Sequence, residues 1–190
     1  MTATPLQFPS AKTGEPSLAV AAGRVLMLAG AVFGLSNLFQ YGVQSGLLHL
    51  HPAVLSLSWP IAVTVFVVTL GRLRKAGGEA GRRTAGWSRK GILTMIASAL
   101  GLLALSVVQK DFTLMFWMTP IGMGVYAVAW GTAAVRTRRG WMAGLALGAL
   151  CIAGLTISLL GTPAQYLAYA VGLFAFVFAP GAFIALTGRA

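Results

Sequence analysis

The sequence predicts an all-α polytopic membrane protein, a bundle of six transmembrane helices. Of its 190 residues, 57% are hydrophobic and 9% are charged, and the mean hydropathy is +0.82, a composition unlike that of soluble domains. The apolar residues fall into runs of about 20, the length that a helix needs to cross the roughly 30 Å hydrocarbon core of a bilayer. Each of these runs is predicted to be one span.

The spans follow one another in pairs joined by short polar links. A leading segment, 1–16, carries Pro5, Pro9 and Gly14 and is predicted to be a disordered cytoplasmic tail ahead of the transmembrane domain, 17–190. Spans one and two, three and four, and five and six are expected to form three helical hairpins. The predicted spans are 17–40, 48–70, 91–108, 112–135, 141–160 and 166–186.

Clusters of basic residues predict the orientation. Positively charged loops stay in the cytoplasm, and under a six-span count the opposite side receives only Lys110. Both termini are therefore predicted to be cytoplasmic, in the inner (plasma) membrane of a bacterial-type cell. Arg136, Arg138 and Arg139 follow span four. A basic cytoplasmic loop, 71–90, carries Arg72, Arg74, Lys75, Arg82, Arg83, Arg89 and Lys90.

This basic loop indicates the partners of the chain. Each cation near a membrane surface adds roughly 1 kcal/mol of attraction to anionic lipid, so the loop is predicted to contact anionic lipid headgroups or a membrane-protein partner. The net charge of +11 would also suit nucleic acid. Because the cations sit between apolar runs, where they act as orientation signals, nucleic-acid binding is not predicted.

Aromatic residues support the same orientation. Trp and Tyr prefer the headgroup boundary, where the ring is buried and its polar atom stays wet. One such group is predicted at the cytoplasmic boundary and another at the outer one. The first comprises Trp87, Trp130 and Trp141, and the second Tyr41, Tyr166 and Tyr169.

Prolines and glycines recur with regular spacing. Pro60, Pro120 and Pro180 lie sixty residues apart, each in an even-numbered span, which indicates a weak threefold internal repeat; the alternative is that membrane helices simply tolerate proline. Gly30-Gly34 and Gly144-Gly148 form GxxxG pairs, and span three carries small residues at 97–99 and at 101. We interpret these as surfaces for helix packing, or for a homo-oligomer.

Ionisable residues within a bilayer mark functional sites, and here the spans contain almost none. The acids are Glu15, Glu79 and Asp111, all outside the centre of a span, which argues against a buried-acid proton relay and against paired-carboxylate catalysis. The lone Cys151 and the two histidines are too far apart in depth for a nucleophile and its base. No catalytic residue, cofactor or metal is predicted.

Polar residues gather at the outer ends of spans one and two. Asn37 and Gln40 lie at i and i+3 and so share a helix face, and an extended segment before Pro52 could bring two nearby histidines to one side. A small polar ligand would be placed here; the alternative is that these groups hydrogen-bond between helices or to interfacial water. The candidate ligand-binding residues are Asn37, Gln40, Tyr41, His49, His51 and Trp59.

These observations favour a non-enzymatic protein that acts as an accessory, assembly or regulatory subunit of a membrane complex. One alternative is a small-solute transporter or channel with its polar site at the outer ends of spans one and two, since interrupted helices often line transport sites. A second alternative is a metal-binding membrane protein or enzyme that uses His49 and His51.

Overall fold

The computed structural model describes residues 18–76 and 78–188, and for residues 74, 76 and 78–90 it describes the backbone alone. The predicted tail, 1–16, lies outside this part. The regular secondary structure of the described residues is all helical, with no strand among them, and six segments are long and apolar enough to cross a membrane, as predicted for a multi-pass membrane protein. The spans are Leu18–Gln44, Pro52–Leu73, Gly91–Gln109, Phe112–Thr137, Gly140–Ser158 and Pro163–Thr187.

The spans are built from α-helices and three shorter helical segments. Short 3-10 segments, Pro52–Val54 and Phe112–Trp117, precede the second and fourth helices. A π-helical segment, Phe174–Phe178, joins α6 to α7, so that these three form one sixth span. The helices are α1 (Leu18–Gln44), α2 (Leu55–Ala76), α3 (Gly78–Gln109), α4 (Met118–Thr137), α5 (Gly140–Ser158), α6 (Pro163–Leu173) and α7 (Ala179–Thr187).

The segment 71–90 differs from the predicted loop. α2 continues to Ala76 and α3 begins at Gly78, so the backbone of 78–90 is helical and runs into the third span without a break. The loop prediction rested on glycines, but a glycine costs only about 1 kcal/mol in a helix. Strong helix formers such as Ala80 and Arg82 lie between them. The basic segment therefore consists of two helix ends on either side of residue 77.

Glycines of α1 bring the first and sixth spans into close antiparallel contact. A Cβ placed on Gly23 would lie 2.5 Å from the backbone nitrogen of Ala185, and one placed on Gly30 would lie 2.5 Å from that of Phe178. Gly34 faces the ring of Phe174 in the same way. Because a side chain at these positions would collide with backbone or ring atoms, the interface depends on the absence of one.

The remaining contacts join α4 to α5 and to the sixth span. α4 and α5 run antiparallel, with the rings of Trp130 and Trp141 5.9 Å apart. α4 and the sixth span run parallel, since Gly122 faces Tyr169 and the indole of Trp130 reaches Phe176. The main buried cluster joins residues of five spans, including Ala29, Phe66, Met123, Ala149 and Leu173.

The alternating helix directions give the bundle two different ends. We call the end with residues 45–51, 110–111 and 159–162 the polar end. The other, which we call the basic end, carries the start of α1, residues 71–76, the turn 138–139 and the end of α7. Among the side chains described at the basic end, Arg72, Lys75, Arg138 and Arg139 are exposed.

Burial is uneven among the spans. In the most apolar window of the sixth span 39% of the residues are buried, against 17% in the second span and 6% in the third. Large aliphatic side chains such as Leu57, Ile61, Leu100 and Val107 are exposed on α2 and α3. These two helices therefore lie at the periphery, with most of their surface uncovered by the chain itself.

The three prolines do not share one depth. Pro60 and Pro120 each lie eight residues after the start of their span, whereas Pro180 lies seventeen residues after Pro163. Pro60 is exposed, and the other two are buried. The equal spacing in sequence thus does not correspond to equal depth for Pro180, and the threefold repeat stays a prediction.

Candidate functional site

Buried polar side chains collect at the polar end of the bundle. At the basic end the buried cluster is instead apolar, formed by Trp130, Met142 and Ile184. A polar group buried at membrane depth is costly unless it is paired, so such groups mark places where a partner or ligand is needed. This set is therefore the candidate site, and we call it the polar layer. Its members are Asn37, Gln40, Ser106, Thr119, Thr156 and Gln165.

The α1–α2 interface brings together three of the predicted ligand-binding residues. The Nε2 of Gln40 donates to the hydroxyl oxygen of Ser58 over 3.4 Å, and the Nδ2 of Asn37 donates to the Phe33 carbonyl over 2.8 Å. Trp59 lies against the same helix, with its ring centroid 5.7 Å from that of Phe33. Asn37 and Gln40 are 1% and 5% exposed, so the predicted shared face points into the bundle.

Several oxygens in this region are buried and have no hydrogen-bond partner among the described residues. They are Ser36 Oγ, Asn37 Oδ1 and Ser106 Oγ. Asn37 Oδ1 is an acceptor only, so it could bind a group that offers an N–H or O–H. Leaving such an atom unpaired in a buried site costs about 1 to 3 kcal/mol. The polar layer therefore contains unused acceptor capacity beside Gln40.

The other predicted ligand residues do not join this cluster. Tyr41 is half-buried, and His49 and His51 are exposed. The Nδ1 of His51 accepts a 3.2 Å hydrogen bond from the Ala53 amide and so caps the 3-10 segment before α2. Within the described part of the chain no three His, Cys, Asp or Glu residues come together as metal ligands. The arrangement thus gives His51 a local capping role.

Asp111 performs the corresponding function before α4. Its carboxylate accepts hydrogen bonds from the Thr113 hydroxyl over 2.6 Å and from the Thr113 amide over 2.9 Å. These two bonds, the hydroxyl first, hold the pKa of the Asp111 carboxyl below its usual value of 3.8. Asp111 therefore stays ionised and anchors the connection between α3 and α4.

Gln165 links spans four and six within the polar layer. Pro120 has no amide hydrogen, so it cannot donate to the Phe116 carbonyl four residues before it. The Nε2 of Gln165 donates to that carbonyl over 2.6 Å and also to the Thr119 hydroxyl, while its Oε1 accepts from the Gly161 amide over 3.0 Å. Gln165 was not among the predicted site residues; the signal that could have identified it is Pro120, which leaves the Phe116 carbonyl without the amide of residue 120 as a donor.

Trp130 donates a hydrogen bond to the carbonyl that Pro180 leaves free in the sixth span. Pro180 leaves the Phe176 carbonyl without its usual helical donor, and the indole Nε1 of Trp130 donates to this carbonyl over 2.8 Å. The carbonyl lies in the π-helical segment. Trp130 was predicted at a headgroup boundary, but it is only 5% exposed. Spans four and six therefore each supply a side-chain donor to a carbonyl that a proline in the other has freed.

Tyr169 also differs from its predicted place in an outer aromatic belt. It is 3% exposed and belongs to the main buried cluster, where its hydroxyl faces Gly122. The prediction assumed that Tyr169 faces the membrane boundary because it is close in sequence to the polar end. Because Tyr169 and Gln165 are one helical turn apart, both turn toward α4.

The basic residues are placed only in part. Arg72 and Lys75 are exposed near the end of α2. The side chains of the other predicted contact residues are not described; these residues are Arg74, Arg82, Arg83, Arg89 and Lys90.

Comparisons of the chain with protein-family models, with curated proteins and with solved structures found no match. The chemistry that the polar layer offers is therefore argued from its own geometry, in which buried oxygens are available to accept hydrogen bonds.

Proposed function

We propose that the chain is a non-enzymatic accessory, assembly or regulatory subunit of a membrane complex, and that it binds its membrane-protein partner through α2 and α3. The observation that supports this is the uneven burial, since 6% of the third span's window is buried against 39% of the sixth. A helix with so little cover from its own chain is available for a helix of another.

The exposed face of α3 has the composition of a helix contact. Apolar surface alone does not drive helices together in lipid, and small residues that allow close approach do. Ala97, Gly101 and Ala104 are exposed on α3 at spacings of four and three residues, and a Cβ placed on Gly101 meets no atom within 4 Å. This spacing places the three on one face.

Native mass spectrometry of the protein extracted gently from its own membrane tests the proposal. A distinct subunit in fixed stoichiometry is expected, and Gly101→Leu is expected to release it. Gly154→Leu on α5 is the matched control, because Gly154 is also exposed and has no atom near its Cβ position. A protein that is recovered alone, or whose partner tolerates Gly101→Leu, would contradict the proposal.

We further propose three helical hairpins with both termini in the cytoplasm, in a bacterial-type inner membrane, with the basic segment 71–90 against anionic lipid headgroups. The exposed cations at the basic end support this orientation. In a Cys151→Ala background, Leu47→Cys at the polar end is expected to react with an impermeant maleimide added to intact spheroplasts, and Arg138→Cys is not. The reverse labelling pattern would refute the orientation.

A second candidate function, transport of a small neutral solute, is favoured by the unpaired Asn37 Oδ1 in the polar layer. A solute that donates hydrogen bonds could pair with it, and a cation would lack a countercharge there, since the spans hold no acid near their centres. Urea and glycerol fluxes into proteoliposomes test this, with Asn37→Leu as the variant and exposed Gln44→Leu as its control. Fluxes equal to those of empty liposomes would exclude the transport of these solutes.

A further inference from the structure

We propose that the turn between α4 and α5 binds the phosphate of an anionic glycerophospholipid, through Arg138 and Arg139, with Trp141 beside the glycerol and upper acyl region. The turn is distinct in sequence from the basic segment 71–90, and this inference does not depend on the accessory-subunit proposal.

The charge of the turn is locally unopposed. Arg138 and Arg139 are adjacent, and both are exposed. The turn and the first helical turn of α5 contain no acidic residue, and Asp111, the acid whose side chain the structure describes, lies at the polar end. A phosphate group complements this pair of arginines.

Both arginines occupy positions for which the backbone favours other residues. Arg138 has φ 54°, a left-handed conformation that costs a residue with a Cβ about 1 kcal/mol and that glycine usually adopts. Arg139 is the N-cap of α5, where an accepting side chain is preferred, and it makes no capping hydrogen bond. Arginine has no acceptor.

The helix dipoles affect the two arginines in opposite ways. Arg138 stands at the C-terminus of α4, where a cation is favourable, but Arg139 stands at the N-terminus of α5, where a cation is unfavourable. The structure of α4 therefore accounts for the first charge and not for the second. A phosphate at the turn would be favourable to both arginines, with bidentate hydrogen bonds available to each.

The depth of the turn favours a lipid over free phosphate. The fifth span begins at Gly140, so the turn lies at the membrane boundary. Trp141 is 40% exposed, with its ring 5.9 Å from that of Trp130 and 6.4 Å from that of Phe183. An indole fixed just below two arginines matches the order of a phospholipid, a charged head above an apolar body.

Native mass spectrometry of the full chain, exchanged into detergent with equal amounts of phosphatidylglycerol and phosphatidylcholine, tests the proposal. The protein is expected to retain phosphatidylglycerol preferentially. The double variant Arg138→Gln, Arg139→Gln is expected to bind it about 30-fold more weakly, the change expected for two surface cations. The matched double variant Arg24→Gln, Lys110→Gln, which removes two exposed charges outside the turn and outside the segment 71–90, is expected to retain it.

A second part of the experiment distinguishes a lipid phosphate from free inorganic phosphate. Excess inorganic phosphate is expected to leave the retained lipid in place, and Trp141→Ala is expected to weaken its retention. Equal retention by the two double variants would overturn the site. Displacement by inorganic phosphate together with no effect of Trp141→Ala would overturn the lipid and identify a free-anion site instead.

Discussion

The interface between α1 and the sixth span and the outer face of α3 are both rich in glycine, yet these glycines meet opposite surroundings. Gly23 and Gly30 lie so close to the sixth span that an added Cβ would collide with its backbone. Gly91 and Gly101 have no atom within 4 Å of the same position. Glycine thus allows two helices to pack closely in the first region and leaves an uncovered surface in the second.

The difference shows where the stability of the monomer lies. Without a hydrophobic drive between helices in lipid, packing and interhelical hydrogen bonds hold a bundle together. The glycine contacts and the two proline-carbonyl bonds all join α1, α4, α5 and the sixth span. The third span makes few of these contacts, so most of its surface is available to another chain.

The largest expected effect comes from filling one glycine in each region. Gly30→Leu is expected to lower the free energy of unfolding by about 3 kcal/mol or more, because the new side chain meets the backbone of Phe178, which cannot move aside. Gly101→Leu is expected to change the unfolding of the monomer little, since its side chain would enter open space. Denaturation in mixed micelles measures both.

The control for this pair is Gly30→Ala, which adds the smallest side chain and is expected to lie between the wild type and Gly30→Leu. Equal losses for Gly30→Leu and Gly101→Leu would erase the distinction between the two regions. A larger loss for Gly101→Leu in the monomer would mean that α3 packs against the rest of the chain.

The proline-carbonyl bonds give the next largest effect. Trp130→Phe removes the donor to the Phe176 carbonyl and is expected to cost about 1 kcal/mol, the scale of a hydrogen bond between membrane helices. In a Pro180→Ala background the amide of residue 180 can donate to that carbonyl, so the same substitution is expected to cost less. A double-mutant cycle of unfolding free energies measures this coupling.

A coupling energy near zero would show that the bond between Trp130 and the Phe176 carbonyl does not compensate for Pro180. Trp141→Phe is a useful reference, because that ring packs against Trp130 and Phe183 and makes no hydrogen bond to a freed carbonyl. Its cost should be the same in both backgrounds.

The sequence predicts the six spans because hydropathy and length decide where helices cross a bilayer. It does not predict which neighbours a side chain meets. Trp130 and Tyr169 were placed at the membrane boundary from sequence position, but contacts from the sixth span and α4 bury them. Asn37 and Gln40 were predicted together because both lie on α1, whereas the partners of Gln165 lie 46 and 49 residues away.

Substituting Asn37 tests whether the polar layer stabilises the bundle as the glycine contacts do. Asn37→Leu is expected to raise the unfolding free energy by about 1 kcal/mol, since it removes a buried acceptor that has no partner. The Phe33 carbonyl that loses the Asn37 side chain lies within α1, where the backbone amide four residues on can serve it. Denaturation without added solute is the measurement.

Gln165→Leu is the matched control, because both polar atoms of Gln165 are paired, and it is expected to lower stability. If Asn37→Leu destabilises as Gln165→Leu does, the Asn37 oxygen has a partner in the folded protein, and its role in solute binding loses its basis.

The smallest effect concerns how α3 is held at the polar end. The pKa of Asp111 is lowered in the folded state, so its carboxylate stabilises the fold at pH values above 3.8, and this contribution is lost as the pH falls toward the lowered value. Asp111→Asn keeps a side chain that can cap the 3-10 segment but does not titrate there. The melting temperature of the wild type is therefore expected to fall toward that of Asp111→Asn as the medium is acidified from pH 6 to about 3. Comparing the two proteins removes the contribution of the other acids, which both share. If the difference between their melting temperatures does not change with pH, the charge of Asp111 does not stabilise the fold, and α3 is held by its packing alone.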